Sequence, residues 1–264
     1  MIENKKMKQE LSALDLMTQQ SIELLVVKGE KKEPISCGTG CIIKYKEKFL
    51  LLTVAHVTDY EETSTCIVLN KKPENGETPL YCVGALNYFD EYLIKEEKLS
   101  EIKSLDDLLI DFNETIDISF CELKDFFEII QPEINFGIHK VEKSFKIYID
   151  LENDISEPTK DKFYGFCGNI RHKKTENRLE RIISLKYDLK YHKTKGRYHT
   201  FLAPEIISDA DDYRGCSGAP ILDNQGKFVG LAVAVKSNTK IVLGVTIQEI
   251  KRLLDYHIDI TNQL

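Results

Sequence analysis

A dozen short apolar runs, set apart by turns rich in Gly, Pro, Asn and Lys, limit this chain to an all-β architecture. They are Ile22 to Val27, Gly40 to Lys44, Phe49 to Ala55, Cys66 to Leu69, Leu80 to Leu86, Asp117 to Leu123, Phe145 to Ile149, Phe163 to Cys167, Arg181 to Tyr187, His199 to Ala203, Phe228 to Val235 and Ile241 to Ile247. Lys71-Lys72-Pro73-Glu74-Asn75-Gly76 is a typical separator. Regularly spaced strands of this length make sandwiches or barrels. Two segments follow a helical period instead. From Glu3 to Gln20 charges alternate with Leu11, Leu14, Leu16 and Met17; from Thr246 to Tyr256 apolar residues recur at Ile247, Ile250, Leu253 and Leu254. The Glu-, Lys- and Leu-rich stretch Tyr92 to Phe112 reads as an insertion, and a midline near Val141 leaves similar strand counts on either side.

With 264 residues, 42% of them hydrophobic, the chain can bury one sizeable core or two smaller ones packed together. Its formal charge of −7 argues against a nucleic-acid partner, and the basic run Arg171, His172, Lys173, Lys174 reads as a solvated hairpin tip. The first residues lack an apolar stretch of signal-peptide length, and no run is long enough to span a bilayer, so no membrane partner is expected. The seven cysteines are odd in number, form no Cys-x-x-Cys pair, and mostly sit in apolar segments. They are expected to be buried, reduced thiols in a cytoplasmic protein without structural disulfides. Histidines 139, 172, 192, 199 and 257 show no metal-ligand spacing, so neither metal nor organic cofactor is expected.

Three local patterns carry chemistry. Thr53-Val54-Ala55-His56-Val57 follows an apolar run, which would fix the histidine backbone in a sheet and leave its ring facing a cleft. Ile116-Asp117-Ile118-Ser119-Phe120 brings a carboxylate into an alternating strand. Gly215-Cys216-Ser217-Gly218-Ala219-Pro220 flanks a serine with glycines. That pattern permits a tight turn exposing the hydroxyl and lets neighbouring N–H groups converge on one point. Each alone has an ordinary structural explanation. Together they supply a nucleophile, a base and a group that sets the tautomer of the base.

The order histidine, aspartate, serine resembles the chymotrypsin-like serine proteases, whereas subtilisins and α/β-hydrolases use other orders. Further residues carry the likeness. Cys37-Gly38-Thr39-Gly40-Cys41-Ile42-Ile43 and Leu51-Leu52-Thr53-Val54-Ala55-His56 resemble the strand pair that delivers the family's histidine. Phe228-Val229-Gly230-Leu231 and Leu243-Gly244-Val245 resemble the strands beside its specificity pocket. Ser208-Asp209-Ala210 ahead of Gly215 most resembles the protease domain of the high-temperature-requirement branch.

The resemblance implies two antiparallel six-stranded β-barrels, to which the helical periodicity at either end adds an N-terminal and a C-terminal helix. The expected division is a helical segment at 1–20, a first barrel at 21–140 with His56 and Asp117, and a second at 141–264 with Ser217. It also implies a serine endopeptidase acting on protein or peptide substrates. His56 would be general base, Asp117 its orienting carboxylate and Ser217 the nucleophile, with Gly215 and Ser217 N–H groups as the oxyanion hole. Asp211, Val233, Val235 and Gly244 are the expected substrate-pocket residues, and Asp211 would favour a basic side chain.

The chain also departs from the secreted members. Val57 stands where they carry a disulfide cysteine, and Cys216 where they carry the aspartate that pairs with a new N-terminus on activation. Zymogen cleavage is therefore not expected, and the N-terminal helix is one the protease core should not need. Two alternatives stay open: an inactive protease-fold scaffold, and a latent enzyme whose Ser208–Gly215 loop is ordered by an activating protein partner, a ligand or an oligomer contact. Cys216 lies one position before the nucleophile slot, where its side chain should turn from the cleft.

Overall fold

The computed structural model describes residues 11–29, 33–72, 79–90, 115–124, 126–175 and 178–261, and the side chains of Asp90, Thr115, 169–181 and Thr261 are not described. The Tyr92 to Phe112 insertion, the first part of the N-terminal helix and the side chains of the basic run thus fall outside the described residues. The chain enters through helix α1 (Ala13–Gln20), capped by Ser12 and Asp15 in a reciprocal capping box. Strand β1 (Ile22–Lys28) is buried on both faces up to Val27, with Glu23 among its buried side chains, and pairs antiparallel with β2 (Glu33–Tyr45). Strand β3 (Lys48–Thr53) folds back on β2 through Lys46 and Glu47, both left-handed at φ 46° and 64°, as a two-residue type I′ turn requires.

After the one-turn helix α2 (Ala55–Thr58) come β4 (Thr63–Val68), β5 (Leu80–Cys82), β6 (Asn87–Asp90) and β7 (Thr115–Leu123). The hydrogen-bonded path is β5-β4-β1-β2-β3-β7-β6. Short pieces follow: β8 (Ile130–Gln131), β9 (Ile134–Asn135), β10 (Lys140–Val141), β11 (Ser144–Phe145) and β12 (Ile149–Asp150). The expected strand Phe145 to Ile149 is thus divided. Strand β12 pairs in parallel with β2 and makes the sheet eight-stranded.

The second half is built from β13 (Phe163–Thr175), β14 (Arg178–Lys195), β15 (Tyr198–Ile207), β16 (Pro220–Asp223), β17 (Phe228–Val235) and β18 (Thr239–Thr246). These close into a six-stranded barrel in the order β13-β14-β15-β18-β17-β16. Helix α3 (Ile247–Thr261) then lays the apolar stripe Ile247, Ile250, Leu253, Leu254 and Ile258 on the core. One closed barrel is therefore present. The first half is an open sheet whose end strands are not paired to each other among the described residues.

Two expectations are corrected. Helix α1 belongs to the core: Leu16 and Met17 pack where Gly226 and Gly165 leave room, and the Thr18 and Gln19 carbonyls accept from Lys146 Nζ (2.7 Å) and Ile147 N–H (3.0 Å). Cys66 and Cys82 face each other across β4 and β5 and form a disulfide, so the all-thiol expectation fails there. Cys37, Cys41, Cys121, Cys167 and Cys216 remain thiols. No helix among the described residues is long and apolar enough to cross a membrane.

Candidate active site

His56 sits on α2, one turn beyond the end of β3, and not on the strand itself. The antiparallel register between β3 and β7 sets Thr53 opposite Ser119, which carries Asp117 just past the strand end and beside α2. Asp117 then grips the histidine twice. Its Oδ2 lies 2.7 Å from His56 Nδ1, and its Oδ1 accepts the His56 backbone N–H at 3.0 Å. This carboxylate favours the tautomer with the proton on Nδ1, leaving the Nε2 lone pair available. The His56 side chain is 49% exposed and that of Asp117 21%. Behind them, Thr58 Oγ1 and Ser119 Oγ are 2.9 Å apart, and Tyr88 OH donates to Thr58 Oγ1 at 3.2 Å. This chain of hydroxyls ties α2 to β7 and β6.

Ser217 is presented by a loop that needs glycine. A 3-10 turn (Ala210–Tyr213), capped by Asp209, is followed by a β-turn closed by Cys216 N–H on the Tyr213 carbonyl at 3.0 Å. Arg214 at φ −60°, ψ 131° and Gly215 at φ 81° make it type II, which demands a residue tolerant of positive φ in third place. Type I would turn the Arg214–Gly215 peptide over, so the turn type decides which way the Gly215 N–H faces. Gly218 (φ 85°) is required twice over, because a Cβ there would meet the Thr39 carbonyl oxygen at 2.1 Å and Thr53 Oγ1 at 2.3 Å.

The serine loop is pinned to the first sheet through Thr39. Its hydroxyl donates to the Gly215 carbonyl at 2.6 Å, and its N–H donates to the Ser217 carbonyl at 3.1 Å. The Thr39 carbonyl in turn accepts from Thr53 Oγ1 at 2.7 Å. Next to it, Gly38 packs under Val57, the neighbour of His56. Contacts therefore run unbroken from the serine loop to the histidine helix. The Ser217 hydroxyl donates to the Val233 carbonyl at 3.2 Å, and no hydrogen bond joins it to His56 among the described residues.

A cavity of about 270 Å³ opens beside Ser217. Asp211, Val233 and Val235 line it, with Phe166, Tyr213 and Val242. Asp211 is not alone there: its Oδ1 lies 3.8 Å from Arg214 Nη1. Gly244 is not among the lining residues; it lies in β18, where a Cβ would meet the Ile221 side chain at 2.6 Å. Cys216 packs against Gly168, and burial pushes its thiol up to about 12, so it is an inert thiol at neutral pH. Among the described residues no cluster of His, Cys, Asp and Glu is placed to hold a metal ion.

Sequence reasoning singled out His56, Asp117, Ser217 and Gly215 but passed over Thr39, the Tyr88–Thr58–Ser119 hydroxyls and the Val233 carbonyl. A threonine inside an apolar strand segment, as in Cys37-Gly38-Thr39-Gly40-Cys41, was the available signal, since a buried hydroxyl needs a partner.

No protein-family model and no curated protein matches the sequence. Solved structures do. A serine endoprotease from Yersinia pestis superimposes with a TM-score of 0.53 at 11% identity, covering 93% of this chain and 66% of that one. The fold is that of a serine protease. The active form of the Rv3671c protease from M. tuberculosis agrees, with a TM-score of 0.50 at 11% identity over 92% of this chain and 82% of that one. This chain thus spans just under two thirds of the Yersinia structure's length. His56 and Asp117 come from the half built on the open sheet, on α2 and β7, and Ser217 from the loop that leads into β16 of the closed barrel.

Proposed function

We propose that the protein is a serine endopeptidase working through an acyl-enzyme. The observation that carries this reading is the double grip of Asp117 on His56, at a helix tied through Val57, Gly38 and Thr39 to a glycine-flanked serine. Ser217 first turns about χ1, away from the Val233 carbonyl and towards His56 Nε2. The histidine then takes the hydroxyl proton as Oγ bonds to the substrate carbonyl carbon. The same proton passes to the leaving amine, and water repeats the sequence to release the acid. Asp117 stabilises the imidazolium, and the Gly215 and Ser217 N–H groups receive the oxyanion. The cavity beside Ser217 takes the side chain before the scissile bond, where Asp211 offers a basic side chain a partner that it now shares with Arg214.

The test is labelling with a fluorophosphonate probe, comparing the native chain with Ser217→Ala and Cys216→Ala. Labelling lost in Ser217→Ala and kept in Cys216→Ala is the expected result. Labelling lost in Cys216→Ala alone would sink the assignment.

A second reading, a protease-fold binding protein without activity or one awaiting a protein activator, is favoured by the Ser217–Val233 hydrogen bond, which holds the hydroxyl away from its base. Failure to label in buffer and in host lysate alike selects the inactive protein; labelling in lysate only selects the latent enzyme. Five remaining thiols support a cytoplasmic, reducing setting, and the Cys66–Cys82 bridge counts against it. Thiol counting in freshly lysed cells decides between them.

A further inference from the structure

We infer that the gap where β14 and β15 part is a second peptide-binding site, for an extended segment alternating apolar and basic side chains, and that its occupancy acts on the Ser208–Gly215 loop. The binding claim stands on the barrel wall alone; the effect on activity rests on the proposed protease function.

The barrel wall is incomplete at this place. Pairing of β14 with β15 runs from Lys195 opposite Tyr198 to Lys190 opposite Leu202, and stops. On its other side β15 leaves β18 after Leu202 and rejoins it only at Ile207. Residues 203–206 therefore take no part in either ladder. Across the gap, β14 keeps its partner β13 at Lys186 and Leu189 but bulges between them, with Asp188 left-handed at φ 60°. Two strand edges thus face each other across a cavity of about 330 Å³. An extended peptide satisfies such edges by adding a strand, with alternate side chains pointing into the cavity.

The chemistry of the lining selects the partner. Ile206, 62% exposed, and Tyr187 give apolar contact at the mouth. Three exposed carboxylates, Asp188, Glu205 and Asp212, surround it. Two ammonium groups stand against them: Lys186, held 4.3 Å above the Tyr213 ring, and Lys240, which donates to the Pro204 carbonyl at 2.6 Å, so the carboxylates outnumber the cations three to two. The excess of negative charge is complementary to lysine or arginine.

The cavity also reaches the serine loop from behind. Asp212 and Tyr213 form its end wall, and Tyr213 lines the cavity beside Ser217 as well. The Tyr213 carbonyl closes the type II turn that orients Gly215. A strand seated in the gap therefore touches the residue on which that turn hangs.

The test uses the full chain carrying Ser217→Ala, so that the probe is not cut, and a fluorescein-labelled octapeptide alternating valine and lysine. Binding is read by fluorescence anisotropy. Glu205→Lys and Ile206→Ser, both at exposed positions, should each weaken binding by about tenfold or more, and a valine–glutamate octapeptide should bind the parent chain about tenfold less tightly. Glu205→Lys should reverse that preference, a gain that loss of folding cannot mimic. Equal affinity of both peptides, or affinity indifferent to both substitutions, overturns the site. For the coupling, the rate of fluorophosphonate labelling of the chain with Ser217 intact should change severalfold when the peptide is bound; an unchanged rate overturns the coupling. Intact peptide binding with no labelling under any condition would count against the protease reading and leave the peptide site standing.

Discussion

Thr39 Oγ1 donates a 2.6 Å hydrogen bond to the Gly215 carbonyl, joining residues 176 positions apart in the sequence. The acceptor belongs to the glycine whose N–H is proposed to hold the oxyanion, so one buried hydroxyl fixes the peptide that follows it. Thr39→Val keeps the shape and leaves the carbonyl without its donor. Such a loss costs about 1–3 kcal/mol, and fluorophosphonate labelling should slow by about tenfold or more. Thr39→Ser should recover most of the rate. Equal rates in all three proteins would remove Thr39 from the machinery.

Asp117 is the group that sets the histidine tautomer. Asp117→Asn keeps an acceptor for the His56 backbone N–H but presents an amide to the ring, which favours the wrong tautomer. In a triad that substitution lowers turnover by about 10⁴. The labelling rate should fall by a comparable factor while the thermal midpoint barely moves. A loss of less than about tenfold would mean His56 is not acting as the base.

What the sequence made legible was the joint occurrence and order of three short segments, with the glycines beside the serine as the strongest local cue. Glycines at 215 and 218 announce a special backbone around Ser217, and both do adopt positive φ. Asp117 was not distinctive by itself and stood out only through its place between His56 and Ser217 in the order histidine, aspartate, serine. Features set by register or by distant contact were not visible. Lys46-Glu47 carries none of the Asn-Gly signature of a type I′ turn, yet β2 and β3 force both residues left-handed. Cys66 and Cys82 are opposite each other only because β5 pairs with β4 in one register. Helix α1 looked dispensable because its burial depends on Gly165 and Gly226, far along the chain, lacking side chains.

Asp223 is fully buried at the end of β16, the strand that follows the serine loop. It accepts from Lys162 Nζ (2.6 Å), Ser156 Oγ (2.9 Å) and the N–H groups of Gln225 and Lys227 (both 2.9 Å). Burial alone would raise its pKa; the Lys162 bond and the other donors outweigh that and hold it below the ordinary carboxylate value. Asp223→Ala leaves Lys162, which is partly exposed, with Gln225 Oε1 alone at 3.2 Å among the described residues and takes the acceptor from three further donors, a loss of about 1–3 kcal/mol. Urea unfolding should show that loss, with Asp223→Asn intermediate. A change within about 0.5 kcal/mol would mean solvent replaces these bonds freely.

His199 gives the fold an acid-sensitive point away from the proposed chemistry. Its ring, carried by β15, is buried beside Tyr191 and Thr194 of the neighbouring β14, with Nδ1 2.7 Å from Thr194 Oγ1, which Tyr191 OH also reaches at 2.7 Å. Burial pushes its pKa down from 6.5 to about 4. The folded protein therefore binds this proton less readily than the unfolded chain. The contribution is whole above pH 6.5, falls away as the pH drops towards 4, and is constant again below that. A shift of that size corresponds to roughly 3 kcal/mol. His199→Phe keeps the edge contacts with Tyr191 and Phe201 and leaves Thr194 and Tyr191 bonded to each other. Urea unfolding across that pH range should show the parent losing stability on acidification and the variant losing far less. Carboxylates titrating near pH 4 act on both proteins alike, so the difference between the two curves isolates the histidine. Parallel curves would mean that His199 becomes protonated in place, with solvent reaching it through the barrel wall.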